Sequence, residues 1–228
     1  MAALTEQEII NIIYSLYETD TTNWAVTDEE YLAARKWCNI AISRWEYYDN
    51  TAWSELWTTL AAAADGTKTL TAATYTYACP TNMVKPSTYV RTGAGKQYWK
   101  VIKPKQVGDY ALSDDYVCWF TGSIKAGFTL NFNSRLTLTT GHAIEYEYYK
   151  AASAFTAITS TTEMSDPYFI VYFVLARFLK NDGEDNVEEL QEADDRLETM
   201  RVANMSGFGT QADNIEETIE TNSGFGVN

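Results

Sequence analysis

Paired carboxylates are the most frequent chemistry-bearing pattern in this chain: Asp114 with Asp115, Glu145 with Glu147, Glu188 with Glu189, and Asp194 with Asp195. Two acids held at a fixed separation can cleave a glycosidic bond or hold a hard cation, but only when burial and geometry set them apart from ordinary surface charge. The pairs at Glu188 and Asp194 lie in a stretch that is acidic on every side, which is the pattern of a solvated face. The segment DGEDN (182–186) has the acid density of a calcium loop but not its order, in which glycine stands sixth and glutamate twelfth, so it reads as a polar turn between helices. His142 is the single histidine, and its setting, TTGHAIEY, reads as a turn entering a strand. Cys38, Cys79 and Cys118 form no CxxC pair, which argues against a zinc site or a disulfide framework and for small buried apolar side chains.

RTGAGKQYWK, from Arg91, is the one glycine cluster with basic neighbours. A phosphate loop needs GxxxxGK followed by Ser or Thr at a helix start, whereas Lys96 precedes Gln97 and a strand pattern, so this is a β-turn. Arg91 and Lys96 at its tip, with Lys103 and Lys105 beyond, can still meet an acidic partner. GxSxG and HExxH are absent. The chain therefore reads as a non-enzyme, with no catalytic, cofactor or metal residue assigned.

Of the 228 residues 46% are hydrophobic and 14% aromatic, enough for one or two buried cores. No run reaches the roughly 20 apolar residues of a membrane span, since PYFIVYFVLARFL meets Arg177 too soon. The N-terminus lacks the pattern of a signal peptide, so synthesis in a cytoplasm and no membrane partner are expected. A net charge of -14 disfavours general nucleic-acid binding, but it is uneven: residues 66–150 carry 10 bases against 5 acids, and residues 181–228 carry 13 acids against 2 bases.

The positioning elements follow from periodicity. Thr5 with Glu8 is a capping box ahead of Ile9, Ile12, Ile13 and Leu16 at helical spacing. Thr27 with Glu30 opens a second helix, predicted over 28–48, and Trp53, Leu56, Trp57 and Leu60 suggest a third. From Gly66 to Lys150 threonine, tyrosine and valine dominate, and six strands are predicted, the last two in RLTLTTG and HAIEYEYYK. Helix returns after Pro167, with Ser165 and Asp166 as cap candidates, and a final helix ends near Asn204. The expected fold is α+β: a helical bundle from N- and C-terminal helices with an inserted antiparallel β module, a sandwich or small barrel, and an extended C-terminal tail. The boundaries are 1–65, 66–150, 151–204 and 205–228.

Aromatic side chains on the β module raise a separate possibility, a sugar or partner platform built from Tyr75, Tyr77, Tyr98, Trp99, Trp119, Tyr146, Tyr148 and Tyr149. The competing reading is core and cross-strand pairing. An aromatic-rich carbohydrate-binding module of a virion or tail protein is thus the alternative function.

The order of AIEYEYYKAASAFT, TEMSDPYF, IVYFVLARFL, NDGED and NVEELQEADDRLETMRVAN, together with the helices opened by LTEQEIINII and TDEEYLAARKWCNIAISRW, resembles the head-to-tail adaptor proteins of tailed bacteriophages. The resemblance implies a structural ring of about a dozen copies at the neck of the virion, beneath the portal protein and above the next tail component. Double-stranded DNA would pass through its lumen without sequence-specific binding, past a channel-facing acidic set of Glu188, Glu192 and Asp195. The terminal SGFGTQ and SGFGVN then become a portal-docking tail, with Met205, Gly207, Phe208, Gly209, Ile215, Ile219, Gly224, Phe225 and Gly226 as its contact residues. The basic Arg91, Lys96, Lys103 and Lys105 would meet neighbouring subunits or the tail.

Overall fold

Periodicity in the sequence becomes five helices, α1 (Glu6–Tyr17), α2 (Glu29–Glu46), α3 (Val107–Tyr110), α4 (Tyr168–Asp182) and α5 (Val187–Glu220). Ten strands accompany them: β1 (Trp57–Thr59), β2 (Lys68–Thr69), β3 (Thr76–Ala78), β4 (Met83–Lys85), β5 (Tyr89–Thr92), β6 (Gln97–Val101), β7 (Val117–Ser123), β8 (Gly127–Phe132), β9 (Ala143–Glu145) and β10 (Glu147–Lys150). This computed structural model describes residues 3–18, 23–62, 67–93 and 97–220, apart from the side chains of Ala62 and of 207–220. The protein is mixed α+β and divides into two units, residues 1–55 with 152–228, and residues 56–151.

In the helical unit Thr5 caps α1: its hydroxyl accepts from the Glu8 N–H at 3.3 Å and its own N–H donates to Glu8 Oε2 at 2.7 Å. Those bonds to Thr5 hold the Glu8 carboxyl below its usual range. Ile9, Ile10 and Ile13 are buried on one face of α1, and Tyr31, Ala34, Cys38, Ile42 and Trp45 on one face of α2. α4 is apolar on nearly every side, so eight of its side chains are buried and α1, α2 and α5 all pack against it. Asp166 bonds the Tyr168 N–H at its start, and Gly183, at φ +80°, closes it in the left-handed conformation that glycine adopts without strain. Arg196 ties α5 to Asp166 at 2.8 Å, just before α4, and pairs with Glu192 of its own helix at 2.8 Å, while Arg44 of α2 meets Asp194 at 2.6 Å.

Helix α5 departs from the expected end near Asn204. Its backbone continues to Glu220, so residues 205–220, read from sequence as an extended tail, are helical. Gly207 and Gly209 each cost about 1 kcal/mol relative to alanine but do not forbid a helix, and Ala212, Glu216 and Glu217 beyond them favour one. Gly224, Phe225 and Gly226 lie outside the described residues.

The β unit differs from expectation in four ways. Residues 54–62 form short 3-10 turns flanking β1, not a third helix, because Trp57 and Thr58 pair with Tyr149 and Tyr148 of β10. RLTLTTG is irregular, held by turns such as the His142 N–H to Thr139 carbonyl bond. Among the described residues the sheets hold ten strands, in orders β1-β10-β4 and β2-β9-β5-β6-β7-β8-β3. Finally, the module is not purely antiparallel: β6 and β7 run parallel, because the 3-10 turn Pro104–Gln106 and α3 lie between them and carry the chain back to start β7 in the same direction. Val90, Trp99, Cys118, Leu130, Phe132 and Ile144 centre the core of this unit. Among the described residues no helix is long and apolar enough to cross a membrane.

Candidate functional site

Alternation along β5 sends Val90 and Thr92 into the core and leaves Tyr89 and Arg91 on the other face; along β6, Trp99 goes inward and Tyr98 and Lys100 outward. Cross-strand register then sets Arg91 opposite Tyr98, and Tyr89 opposite Lys100. On the other side of β5, Arg91 faces Glu145 of β9. The Arg91 guanidinium lies 4.4 Å from the Tyr98 ring centre and 5.3 Å from that of Tyr89, and it donates through Nη2 to the Tyr98 hydroxyl. This is a cation held on two aromatic faces. Its Nε–H is buried and, among the described residues, has no acceptor. Burial, then the charge of Glu147, pushes the Tyr89 phenol above its usual range.

Beside this stack is a cavity of about 410 Å³, bordered by Thr59, Leu60, Thr67, Tyr89, Arg91, Ile144, Glu145, Tyr146 and Glu147. Leu60, Ile144 and Tyr146 are buried core side chains, so the accessible wall is formed by Thr59, Thr67, Tyr89, Arg91, Glu145 and Glu147 and is largely polar. Its wall carries charged groups of both signs, Arg91 with Glu145 and Glu147.

The other predicted residues are dispersed. Lys103 and Lys105 are exposed at the 3-10 turn after β6, where the Lys103 N–H bonds the Gln106 side chain at 3.0 Å. Lys96 lies outside the described residues. Glu188, Glu192 and Asp195 share one face of α5 by helical spacing. Glu188 and Glu192, with Glu189 and Tyr172, border an open hollow of about 300 Å³, and Glu192 is paired with Arg196. Met205 is 58% exposed, and Arg201 donates to its sulfur at 3.4 Å. On the helical backbone the positions of Met205, Phe208, Ala212, Ile215 and Ile219 recur at steps of three and four, which sets them along one side.

Of the acid pairs, Asp114 meets Arg135 at 3.2 Å in an exposed ion pair. His142 packs against Gly93, where a Cβ would come within 2.4 Å of its Nδ1, so its neighbour must be glycine for the ring to sit there. All three cysteines are buried and outside any disulfide; burial lifts the thiols of Cys38 and Cys118, the latter to about 12. Among the described residues no group of three or more His, Cys, Asp or Glu side chains could hold a metal ion. The aromatic platform is largely core: Trp99, Tyr146, Tyr148 and Tyr149 are buried, whereas Tyr98 is 54% exposed.

No known family matches this chain, and no curated protein matches it either.

Two arrangements escaped the sequence reading. The alternation Tyr89–Arg91 against Tyr98–Lys100 was visible, but their pairing needed the register of β5 on β6. The second is a carboxylate inside the helical unit: Glu6 is fully buried, and its Oε1 accepts from the Tyr31 hydroxyl at 2.9 Å and from Arg35 at 2.7 Å. Glu6 stands three, four and seven residues before Ile9, Ile10 and Ile13, which puts it on the apolar face of α1, but nothing in the sequence shows which residues meet its charge there.

Proposed function

We propose that this protein is a structural head-to-tail adaptor of a tailed bacteriophage, assembling as a ring beneath the portal and continuing the DNA channel towards the tail. The observation that carries the reading is the nested layout, in which one β unit, residues 56–151, interrupts a helical unit made of both chain ends. In this reading the helices form a bundle and the β unit, a sandwich or small barrel, is its insertion. The acidic face of Glu188, Glu192 and Asp195 lines the lumen, where like charge lets DNA slide without adhering. Arg91, Lys103 and Lys105 face neighbours or the next tail component. The C-terminal part of α5, with Met205, Phe208, Ile215 and Ile219 along one side, docks on the portal as an amphipathic helix in a groove, and Phe225 follows it. The protein belongs, on this reading, to the neck of the virion and is made in the host cytoplasm.

Native mass spectrometry of purified virion necks tests the proposal. About a dozen copies per neck are expected from a ring that matches a portal. One or three copies would rule the ring out.

A further inference from the structure

Helix α2 carries apolar side chains on two opposite faces. The inner face, with Tyr31, Ala34, Cys38, Ala41, Ile42 and Trp45, is buried in the helical unit. The outer face holds Leu32, Ile40 and, at the C-cap, Tyr47, which are 48%, 39% and 69% exposed, with exposed Lys36 and Ser43 between them. At 3.6 residues per turn these five positions fall within an arc of about 80° and run about 22 Å along the helix. Lys36 is the single charge in the stripe. Glu29 stands a turn before it begins, and Arg44, at its edge, is tied to Asp194 at 2.6 Å.

Charge and order together select what covers this face. Each copy of the chain carries a net charge of -14, so copies repel, and contact between them is confined to surfaces with little negative charge. The outer face of α5, with Glu188, Asp194 and Asp195 exposed, is unsuited to such contact, whereas the α2 stripe holds no acid. The order of the stripe is also its own complement: apolar Leu32, polar Lys36, apolar Ile40, polar Ser43, apolar Tyr47 reads the same in both directions. Laid antiparallel on a second copy about Ile40, Leu32 meets Tyr47, Lys36 meets Ser43, and Ile40 meets its counterpart. The two Lys36 positions are then about 11 Å apart along the helix, beyond the screening length of about 8 Å at physiological salt. Parallel pairing would instead set Lys36 against Lys36. Steps of three and four are those by which helix surfaces interlock side by side.

We propose that the outer face of α2 is a self-association surface, on which a second copy of this chain packs its own α2 antiparallel about a two-fold axis at Ile40. A two-fold pair closes on itself, so it describes the free protein and not a ring, and it stands or falls separately from the adaptor reading. One helix pair is an interface at the small end of the range, which sets the expected dissociation constant on the order of 100 µM.

Sedimentation velocity of the full-length protein up to about 500 µM tests the proposal. The expected result is a monomer–dimer equilibrium that tightens between about 20 and about 150 mM salt, as the repulsion between copies is screened. Ile40→Glu, which sets two carboxylates against each other at the axis, should weaken the dimer more than tenfold with an unchanged thermal transition. Disulfide trapping gives a second readout, since the three native cysteines are buried. Ile40→Cys should cross-link to itself, and a mixture of Leu32→Cys with Tyr47→Cys should cross-link faster than either variant alone. A monomer at every concentration, a dimer indifferent to Ile40→Glu, or faster trapping of Leu32→Cys alone than of the mixture would overturn the proposal. So would dimerisation only after removal of residues 205–228, which would show that the chain's own C-terminal segment covers the stripe.

Discussion

Replacing Arg35 by methionine would strand the buried Glu6 carboxylate. Glu6 is fully buried; its Oε1 accepts from the Tyr31 hydroxyl at 2.9 Å and from Arg35 Nε at 2.7 Å, with Arg35 Nη2 in ion-pair contact at 2.7 Å, and among the described residues its Oε2 has no partner. Breaking a buried pair by removing one member costs about 3 to 5 kcal/mol, because the remaining charge is left in a poorly polarisable interior. The Arg35 side chain is 26% exposed, so water can partly take its place and the low end applies, about 3 kcal/mol. For a protein of this size that is a fall in the thermal midpoint of about 6 to 12 °C. Urea unfolding followed by far-ultraviolet circular dichroism, which the helical unit dominates, gives the free energy. The triple variant Glu6→Leu, Tyr31→Phe, Arg35→Met removes every member of the network and should recover to within about 1 kcal/mol of the parent. A cost below about 1 kcal/mol for Arg35→Met alone would refute the reasoning, since it would mean that water replaces Arg35 beside Glu6 at little expense.

Three further outcomes are expected. Gly183→Ala should cost about 1 kcal/mol in the same urea assay, because φ is +80° while nothing lies within 4 Å of the added Cβ; Gly122→Ala should cost more, since its Cβ would fall 2.1 Å from the Gly127 carbonyl oxygen. Burial, first, and Glu163 raise the Glu46 carboxyl above 4.5, so the folded state binds its proton more tightly than the unfolded state does. Its contribution is therefore favourable below 4.5 and is lost as pH rises through the folded value; Glu46→Gln should flatten the stability profile above pH 4.5, and an unchanged slope would count against this assignment. Deleting 205–228 should leave the thermal transition of the isolated protein nearly intact, since Met200 is the last buried side chain described on α5, while weakening sedimentation with portal rings; a large loss of stability would show that the segment belongs to the core.

Local chemistry alone settled the elements whose signals act within a few residues. The Thr5 and Glu8 box, the apolar runs of α2 and α4, and the Gly183 stop were legible because caps and helical periodicity depend on neighbours at three and four residues. The change of texture near residue 66 announced the β unit for the same reason, although Trp57 crossed that line. Its spacing with Leu56 and Leu60 fitted a helix, and only Tyr149, far along the chain, makes it a strand.

Long-range contact decided the rest. Parallel pairing of β6 with β7 depends on how residues 102–116 fold between them, which no two-residue alternation records. The depth of Glu6 was set when α2 laid Tyr31 and Arg35 against it, and the Arg91 cavity was set by the register of β5 on β6 and β9. Sequence determined which residues carry charge and which face of its own strand or helix each occupies. Tertiary structure determined which of those charges are buried, which are paired and which stand at the rim of a cavity, because burial and pairing are properties of neighbours that the chain brings together only on folding.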